Sequence, residues 1–310
     1  MTVDEIRLAL RDAGLERLAS QVEQLVLPAI RIDVQPVDED ELPVGTSKIG
    51  GRPDLPPDIA WPEHKGRPLG FLAQFNLTEV APYNVEYTLP SSGMLYFFYD
   101  LQSEPYGITP EQRTAWRVLT IGCESSHPQR MCFPHDLPDK CALRSYTVRL
   151  LSSTTLGAYS SLLQQFEPIG REDWIAYWPV WDATANQSQL LGYPRGIVSD
   201  TMPLACHLYA TGHSYREVFA LTEMVYGEMD EQIRRRAAQA ARDWRLLFQL
   251  GDFAGESIGI RELEGQALEE AWRSRHNIWG RDGTMYFWIE KDHLARRDFS
   301  NVWLQAETEF

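Results

Sequence analysis

The feature that most constrains this chain is a set of three strand-like segments that occurs twice in the same order. In each set, a segment with Gln comes first, a Gly-led segment with Tyr and Phe follows, and a segment with Trp and Val comes last. The first set comprises Leu72–Leu77, Gly93–Phe98 and Trp116–Leu119, and the second comprises Leu247–Leu250, Gly283–Trp288 and Asn301–Leu304. Such self-similarity predicts an internally duplicated protein with two pseudo-symmetric halves.

The segments around the repeat define the expected halves and the fold class. A strand-like segment opens each half, at residues 29–37 and at 142–151. We therefore place half one at about 29–141 and half two at about 142–306, within a single domain over 1–310. Apolar residues recur at helical spacing over 3–28, which predicts an N-terminal helix at 1–28. Strands joined by loops, without regular βαβ alternation, predict an α+β protein with mainly antiparallel sheets.

Local signals predict the remaining segments. Residues 38–70 are rich in Pro and Gly, so we expect a long packed loop there instead of regular structure. Residues 155–166 read as a short helix and 214–243 as a long one. Residues 174–181 are dense in Trp, and we expect them to be extended, with the alternating rings packed inward.

Charge and composition limit the partners and the location. The formal net charge is −15. Nucleic-acid phosphates and anionic membranes repel such a protein, so we expect neither as a partner, whereas a protein, especially a basic one, or a small ligand remains possible. The start has no secretory signal, and no run of about 18 apolar residues could form a transmembrane helix. We therefore expect a cytoplasmic protein with reduced cysteines.

Several motifs resemble the YwqG-like family, which is a domain of unknown function (1963). The similar segments are Lys48–Pro56, Ala60–Pro62, Leu69–Phe75, Gln189–Pro194, Trp244–Leu250, Gly283–Ile289 and Asp298–Trp303. The resemblance covers most of residues 30–306 and implies an α+β fold with internal duplication, but no reaction. Family members often carry His where this chain has Ser188, so no role of that His is carried over.

One motif could indicate a serine hydrolase. Gly255–Gly259 fits G-x-S-x-G around Ser257, and Asp282 and His293 follow in the order that a catalytic triad of this type requires. The parallel βαβ framework that normally presents such a nucleophile is absent from the pattern. We therefore keep a hydrolase only as the alternative function.

Other polar groups have plainer interpretations. Cysteines and histidines between 123 and 141 are zinc-ligand types, but no two of these cysteines have the close spacing of a zinc site. We therefore predict no metal, and no nucleotide-binding or other cofactor motif is present. Asp54, Asp58 and Asp100 are expected to cap turns. Stacking of Trp174, Trp178 and Trp181 on a sugar is the less favoured alternative to packing.

The remaining site hypothesis rests on the two loops that precede the repeats. Arg52 and Arg195 lie in these loops, Gln74 and Gln249 lie on the matched strands, and Trp61 belongs to the first loop. If the halves are symmetric, we expect the matched pairs to converge near the junction, where clefts often form. The arginines could then bind a carboxylate or a phosphate, or could pair with Asp54 and Asp200 instead.

Together these signals favour a non-enzymatic cytosolic binding or regulatory protein that uses a cleft between its halves. A regulatory or immunity-type role in bacteria is one form of this hypothesis. Catalytic residues and the oligomeric state are not predicted.

Overall fold

A computed structural model describes residues 1–86, 88–122, 124, 127–157, 170–196, 201–218, 239, 242–251 and 283–308. The helices that lie within these residues are α1 (Val3–Asp12), α2 (Ala19–Gln24), α3 (Leu77–Val80), α4 (Arg171–Thr184), α5 (Met202–Ala210) and α6 (Lys291–Ala295). The strands are β1 (Val26–Pro36), β2 (Lys48–Ile49), β3 (Asp54–Leu55), β4 (Glu63–His64), β5 (Arg67–Pro68), β6 (Gly70–Asn76), β7 (Met94–Tyr99), β8 (Trp116–Ile121), β9 (Gln129–Arg130), β10 (Tyr146–Leu156), β11 (Gln189–Leu190), β12 (Trp244–Gly251), β13 (Gly283–Glu290) and β14 (Trp303–Thr308). No helix among the described residues is both long and apolar enough to span a bilayer.

Ten of the described strands form one antiparallel sheet, and the chain is an α+β protein, as the sequence predicts. The strand order is β14-β13-β12-β11-β1-β10-β2-β6-β7-β8. The two long strands β1 and β10 pair over eleven residues at the centre, from Val26 opposite Leu156 to Pro36 opposite Tyr146. On each side of this pair follow a two-residue strand and then the three strands of one repeat.

The opening strand of each predicted half lies beside the repeat of the other half. β1 comes before the first repeat in sequence, but it pairs with β11 next to the second repeat. β10 comes before the second repeat and pairs with β2 next to the first. The two predicted halves therefore exchange their first strands, which local sequence patterns do not reveal.

The two repeats show corresponding registers. Gln74 pairs with Tyr96 across β6 and β7, and Gln249 pairs with Tyr286 across β12 and β13. Each Gln-bearing strand also has a register irregularity near its start, between Phe71 and Ala73 in one repeat and between Leu246 and Phe248 in the other. The internal duplication stays a prediction, and these correspondences are the observations that support it.

The sheet folds over so that the two repeats share one apolar core. The ring centroids of Phe75 and Phe248 lie 5.1 Å apart, and Phe97 lies 4.6 Å from Phe248 and 5.0 Å from Phe287. All four rings are fully buried, and each contributes about 1.5–3 kcal/mol through burial. At the edges of the sheet, Trp116 Nε1 donates to the Val302 carbonyl at 2.9 Å, so β8 and the turn before β14 are in contact.

The N-terminal region differs from the single helix predicted over 1–28. Thr2 caps α1 in a capping box with Glu5, and Gly14 has a φ of +74° just after the helix ends. A second helix, α2, follows, and β1 already begins at Val26. Pro28 is the third residue of that strand and therefore does not end a helix.

The prediction of extended structure at 174–181 is wrong, because these residues lie in α4. Gly170 N–H donates to the Asp173 carboxylate at 3.0 Å at the start of this helix. One face of α4, with Tyr177, Val180 and Trp181, packs on α1, α2 and Leu156. The helix predicted at 155–166 is partly wrong, since β10 continues to Leu156, and its remainder lies largely outside the described residues. Most of the predicted helix at 214–243 also lies outside them.

Candidate functional site

The loop after β2 gathers a charged cluster on the outer face of the sheet. Gly50 and Gly51 have φ values of +65° and +71°, and a Cβ at Gly50 would lie 2.0 Å from the Arg144 carbonyl oxygen. Only glycine therefore fits this tight approach. The turn brings several polar side chains together, which we call the first polar cluster: Glu39, Lys48, Arg52, Asp54, Gln74 and Arg130.

Asp54 is fully buried and lies at the centre of the first polar cluster. Its carboxylate accepts hydrogen bonds from Gly45 N–H at 2.9 Å, Gln74 Nε2 at 2.8 Å and Arg130 Nε at 2.9 Å. Burial alone would raise the pKa of Asp54, but the hydrogen bonds from Arg130, Gly45 and Gln74, together with the charge of Lys48, outweigh it and lower that pKa. Asp54 is thus an anion held by internal donors, and it acts as a buried ion-pair partner in β3 instead of only capping a turn as predicted.

Lys48 is also fully buried in this cluster. Its Nζ lies 2.9 Å from Glu39 Oε1 and 3.6 Å from Asp54 Oδ1, and it donates to the Arg52 carbonyl at 2.5 Å. Burial lowers the pKa of Lys48, and the two carboxylates only partly oppose that effect. A buried amine surrounded in this way holds the loop to the sheet and is closed to solvent.

The two arginines of the first polar cluster complete its pairing. Arg52 binds Glu39 through its backbone N–H at 2.6 Å and its Nε at 2.7 Å, and its Nη2 contacts Asp40 at 3.3 Å, so its partners are these two carboxylates and not Asp54. Arg130 reaches Asp54 and also donates to the Glu39 and Leu42 carbonyls at 2.6 and 3.1 Å. Sequence reasoning missed both Glu39 and Arg130. Arg130 lies 76 residues from Asp54 and comes close only because β9 pairs with β3.

A similar arrangement, in which neutral amides replace the buried ion pairs, occupies the corresponding position beside the second repeat. Gln249 Oε1 accepts from Arg195 N–H at 2.8 Å, as Gln74 Oε1 accepts from Asp54 N–H at 2.8 Å. Tyr286 Oη donates to the Arg195 carbonyl at 2.7 Å, and Tyr96 Oη donates to the Asp54 carbonyl at 2.6 Å. We call this group the second polar cluster: Asn186, Gln189, Arg195, Gln249 and Tyr286.

The two clusters differ at one equivalent position of the sheet, which is occupied by Lys48 in the first cluster and by Gln189 in the second. Lys48 pairs with Gln74, and Gln189 pairs with Gln249. Gln189 Nε2 donates to the Tyr193 carbonyl at 2.7 Å, which matches the bond from Lys48 Nζ to the Arg52 carbonyl. Gln189 Oε1 accepts from Asn186 Nδ2 at 2.8 Å. The same backbone anchoring is therefore achieved with charges in one cluster and with neutral amides in the other.

Each of the matched glutamines bonds its own loop, and no hydrogen bond joins the two in the described part of the chain. Four strands lie between β6 and β12 in the sheet order, which corresponds to five steps of about 4.8 Å along the sheet. Phe75 and Phe248 contact each other in the interior, and side chains alternate along a strand. Gln74 and Gln249 therefore lie on the sheet face turned away from these rings, where each anchors its own loop.

The other residues predicted to contact a ligand, Arg195 and Trp61, interact with groups of the protein itself. Arg195 Nη1 donates to Gln187 Oε1 at 2.8 Å, and its Nη2 lies 3.6 Å from the Asp182 carboxylate. Asp200, its predicted partner, lies outside the described residues. Trp61 Nε1 donates to the Leu69 carbonyl at 2.8 Å, and its ring packs edge-on to Phe98 at 5.7 Å. Ligand binding by Arg52, Gln74, Arg195, Gln249 and Trp61 stays a prediction.

The described residues provide little support for the serine hydrolase motif or for a metal site. Ser257 and Asp282 lie outside them, and His293 Nδ1 contacts Asp298 Oδ2 at 2.9 Å. Within the described part of the chain, no group of three or more His, Cys, Asp or Glu could hold a metal ion. Asp100 Oδ1 accepts from the backbone of Gln102 and Ser103, so it caps a turn as predicted.

A small cavity lies between β1 and the loop after α3. Its volume is about 10 Å³, and it is lined by residues 28–30, 83–86 and 191. That volume is close to the space that one water molecule occupies. A cleft able to hold a ligand is therefore not found at this position.

The outer face of α4 presents an apolar surface that sequence reasoning missed. Ile175 is 61% exposed and Trp178 is 38% exposed, and Pro179 is exposed beside them. The ring centroids of Trp178 and Trp174 lie 5.1 Å apart, and those of Trp178 and Trp181 lie 4.8 Å apart. Trp181 is buried, so the aromatic row leads from the surface into the core under α4.

The structure thus defines an α+β protein in which one folded antiparallel sheet carries two similar loop-anchoring clusters. The family described as domain of unknown function (DUF1963) matches residues 47–307. Because this match spans most of the sequence, the chain belongs to the DUF1963 family. No curated protein matches the chain.

Proposed function

We propose that this protein is a non-enzymatic binding protein, and that its binding surface is the outer face of α4. The observation that carries the proposal is the exposure of Ile175 and Trp178, at 61% and 38%, on one side of that helix. The solvent face of a helix in a globular protein is normally polar or charged. An apolar centre here is therefore best explained by contact with another molecule.

The surroundings of the apolar centre resemble an interface in their layout. Arg171 and Glu172 lie exposed at the start of α4, and Asp182 lies exposed near its end. Protein–protein interfaces commonly have such a polar rim around an apolar core, and Trp is enriched among the residues that dominate their affinity. A protein partner therefore fits this surface better than a small polar ligand.

The residues of the first polar cluster stabilise the fold and are poorly placed for catalysis. Glu39, Lys48, Asp54 and Arg130 satisfy one another and the loop backbone, and Lys48 and Asp54 are closed to solvent. A catalytic acid, base or nucleophile needs access to the reacting atoms. These groups lack that access, which favours binding over catalysis for this part of the molecule.

Site-specific photo-crosslinking can test the proposal. A benzoylphenylalanine at position 178 should capture a protein reproducibly from native lysate. The matched control carries the same group at Val85, which is 59% exposed on a different surface, and should not capture that protein. Trp178→Asp should also abolish co-purification of the captured protein, whereas Val85→Asp should preserve it.

Two outcomes would contradict the proposal. One is capture of the same proteins from positions 178 and 85, and the other is undiminished co-purification with Trp178→Asp. The circular dichroism spectrum of each variant should match that of the wild type, because neither substituted side chain belongs to the buried core.

A further inference from the structure

Four exposed residues of α4 form a nearly straight stripe along the helix. They are Arg171, Ile175, Trp178 and Asp182, and successive members are four, three and four residues apart. Alternating steps of three and four residues keep side chains on one face of an α-helix, as in the contact seam of a coiled coil. The stripe therefore has the spacing needed for packing against a second helix.

The order of residues in this stripe is self-complementary. Because the spacing reads the same from both ends, an antiparallel copy of the helix places Arg171 opposite Asp182 and Ile175 opposite Trp178. A twofold axis between Ala176 and Tyr177 would produce each of these contacts twice. An interface with twofold symmetry requires this property, namely that one patch contacts its own copy.

We propose that a second copy of this chain binds the stripe, so that two α4 helices pack antiparallel in a twofold-symmetric dimer. This inference rests on the proposed function and identifies the partner. At the centre, Trp178 packs on Ile175 of the second copy, which covers the apolar surface. At each end, Arg171 forms an ion pair with Asp182 of the second copy.

The charges at the two ends argue for this occupant. Within the described part of the chain, no ion pair engages Arg171, and Asp182 has only a half-exposed partner at 3.6 Å, Arg195. Exposed pairs of this kind contribute little in water. Asp182 is therefore available to exchange Arg195 for an arginine of a second copy. Antiparallel helices also bring the positive end of one helix dipole near the negative end of the other.

The size of the stripe sets the expected strength. It extends over twelve residues, and the eleven steps between its ends correspond to about 17 Å of helix. A stable interface buries about 800 Å² on each partner, which a single helix face of this length does not reach. We therefore expect a weak dimer, with a dissociation constant in the range of about 10–100 μM.

Charge reversal provides a direct test by sedimentation velocity over a concentration series. In an Arg171→Asp homodimer, two carboxylates would face each other at each end of the stripe, and in an Asp182→Arg homodimer two guanidinium groups would meet there. Each variant alone should therefore dimerise at least tenfold more weakly. An equimolar mixture should recover affinity, because in the mixed dimer the introduced carboxylate faces the introduced guanidinium at one end and the native pair remains at the other. Both substitutions suit the helix dipole, so the fold should tolerate them.

The Trp178→Ala variant gives a second, independent measurement. It should weaken self-association at least tenfold, because truncating a central interface Trp commonly has an effect of this size. A chain that sediments as a monomer up to about 1 mM would overturn the inference, as would a dimer indifferent to Trp178→Ala. Failure of the mixture to recover affinity would overturn the antiparallel pairing.

The same experiments separate this inference from the proposed function. If the protein stays monomeric while position 178 still crosslinks to one different protein, the self-association is wrong and the binding surface stands. If neither occurs, both are wrong.

Discussion

The first polar cluster allows a sharp prediction about the net charge of a buried network. Three cations (Lys48, Arg52 and Arg130) and two anions (Glu39 and Asp54) are joined in it by ion pairs, so its net charge is three minus two, or +1. Asp40 also contacts Arg52 at 3.3 Å, but it is 86% exposed and is not counted with the buried groups. Asp54→Asn raises the net charge to +2 and turns an amide donor toward existing donors. Removing one partner of a buried pair typically costs about 3–5 kcal/mol, and we expect a loss of that size in the free energy of unfolding.

Lys48→Gln should behave differently, although Lys48 is equally buried. It brings the net charge to zero and leaves Glu39 paired with Arg52 and Asp54 paired with Arg130. Gln189 already shows, in the second polar cluster, that a glutamine can make the equivalent bond to the backbone. We therefore expect a loss of less than about 1 kcal/mol, which is small for a buried residue.

The double variant tests the reasoning most directly. Lys48→Gln should offset part of the damage from Asp54→Asn, because it removes the excess cation, so the double variant should be more stable than additivity predicts by about 1–3 kcal/mol. Urea unfolding followed by tryptophan fluorescence measures all three values. Asp100→Asn is a matched control, since Asp100 is buried but its cation, Arg67, is 45% exposed, and it should cost less than Asp54→Asn.

Two results would refute this account. One is a loss below about 1 kcal/mol for Asp54→Asn, which would place the carboxylate outside the energetically coupled network. The other is an equal loss for Lys48→Gln and Asp54→Asn, which would show that burial matters and net charge does not.

Three further predictions follow from individual residues. The lowered pKa of Asp54 contributes stability that is present above the ordinary pKa of 3.8 and is lost as the pH falls through the folded-state pKa. The free energy of unfolding of Asp54→Asn should therefore depend less on acid pH than that of the wild type. Asp298 should titrate with a pKa of about 2 in NMR spectra. Ser300→Ala should raise that pKa, because the Ser300 hydroxyl is the main hydrogen-bond donor to the Asp298 carboxylate. An unchanged pKa in this variant would contradict that cause. Gly50→Ala should cost at least about 3 kcal/mol, whereas Gly66→Ala, with a similar φ of +71° and open space at the Cβ position, should cost about 1–2 kcal/mol from strain alone in thermal unfolding.

Sequence patterns predicted the aromatic strands well because their signal is local. Tyr96 and Tyr286 follow a glycine within a run of β-forming aromatic residues, and both lie in strands close to the predicted bounds. The antiparallel arrangement followed from the loop-separated order of these strands. The fold class therefore required no knowledge of long-range contacts.

The prediction failed at α4 because its signals were ambiguous. Trp174, Trp178 and Trp181 are compatible with an aromatic extended segment, and Pro179 argues against a helix interior. The helix forms because its buried face, with Tyr177 and Val180, covers the apolar sides of α1 and α2. Tertiary packing thus outweighed local propensity, and the missed helix carries the surface on which the proposed function depends.

The location of the candidate site depended on contacts between distant segments. The loop glycines and the strand glutamines could be identified from the sequence. The sequence did not indicate which of the two clusters would contain buried charges. Arg130 joins Asp54 only through the pairing of β9 with β3, and Glu39 reaches Arg52 across a turn whose geometry no motif specifies. The outward direction of Gln74 and Gln249 likewise follows from how the sheet folds.

The exchange of β1 and β10 explains why the two polar clusters matter to the whole fold. Each cluster anchors a loop that leads out of a two-residue strand, β2 or β11, and within the described sheet these short strands join the central pair to the repeats. Two residues of ladder provide few hydrogen bonds. The side-chain bonds of Lys48 and Gln189, Gln74 and Gln249 therefore reinforce the weakest joints of the sheet. This role requires buried, fully paired groups, and it accounts for their position on the outer face without any ligand.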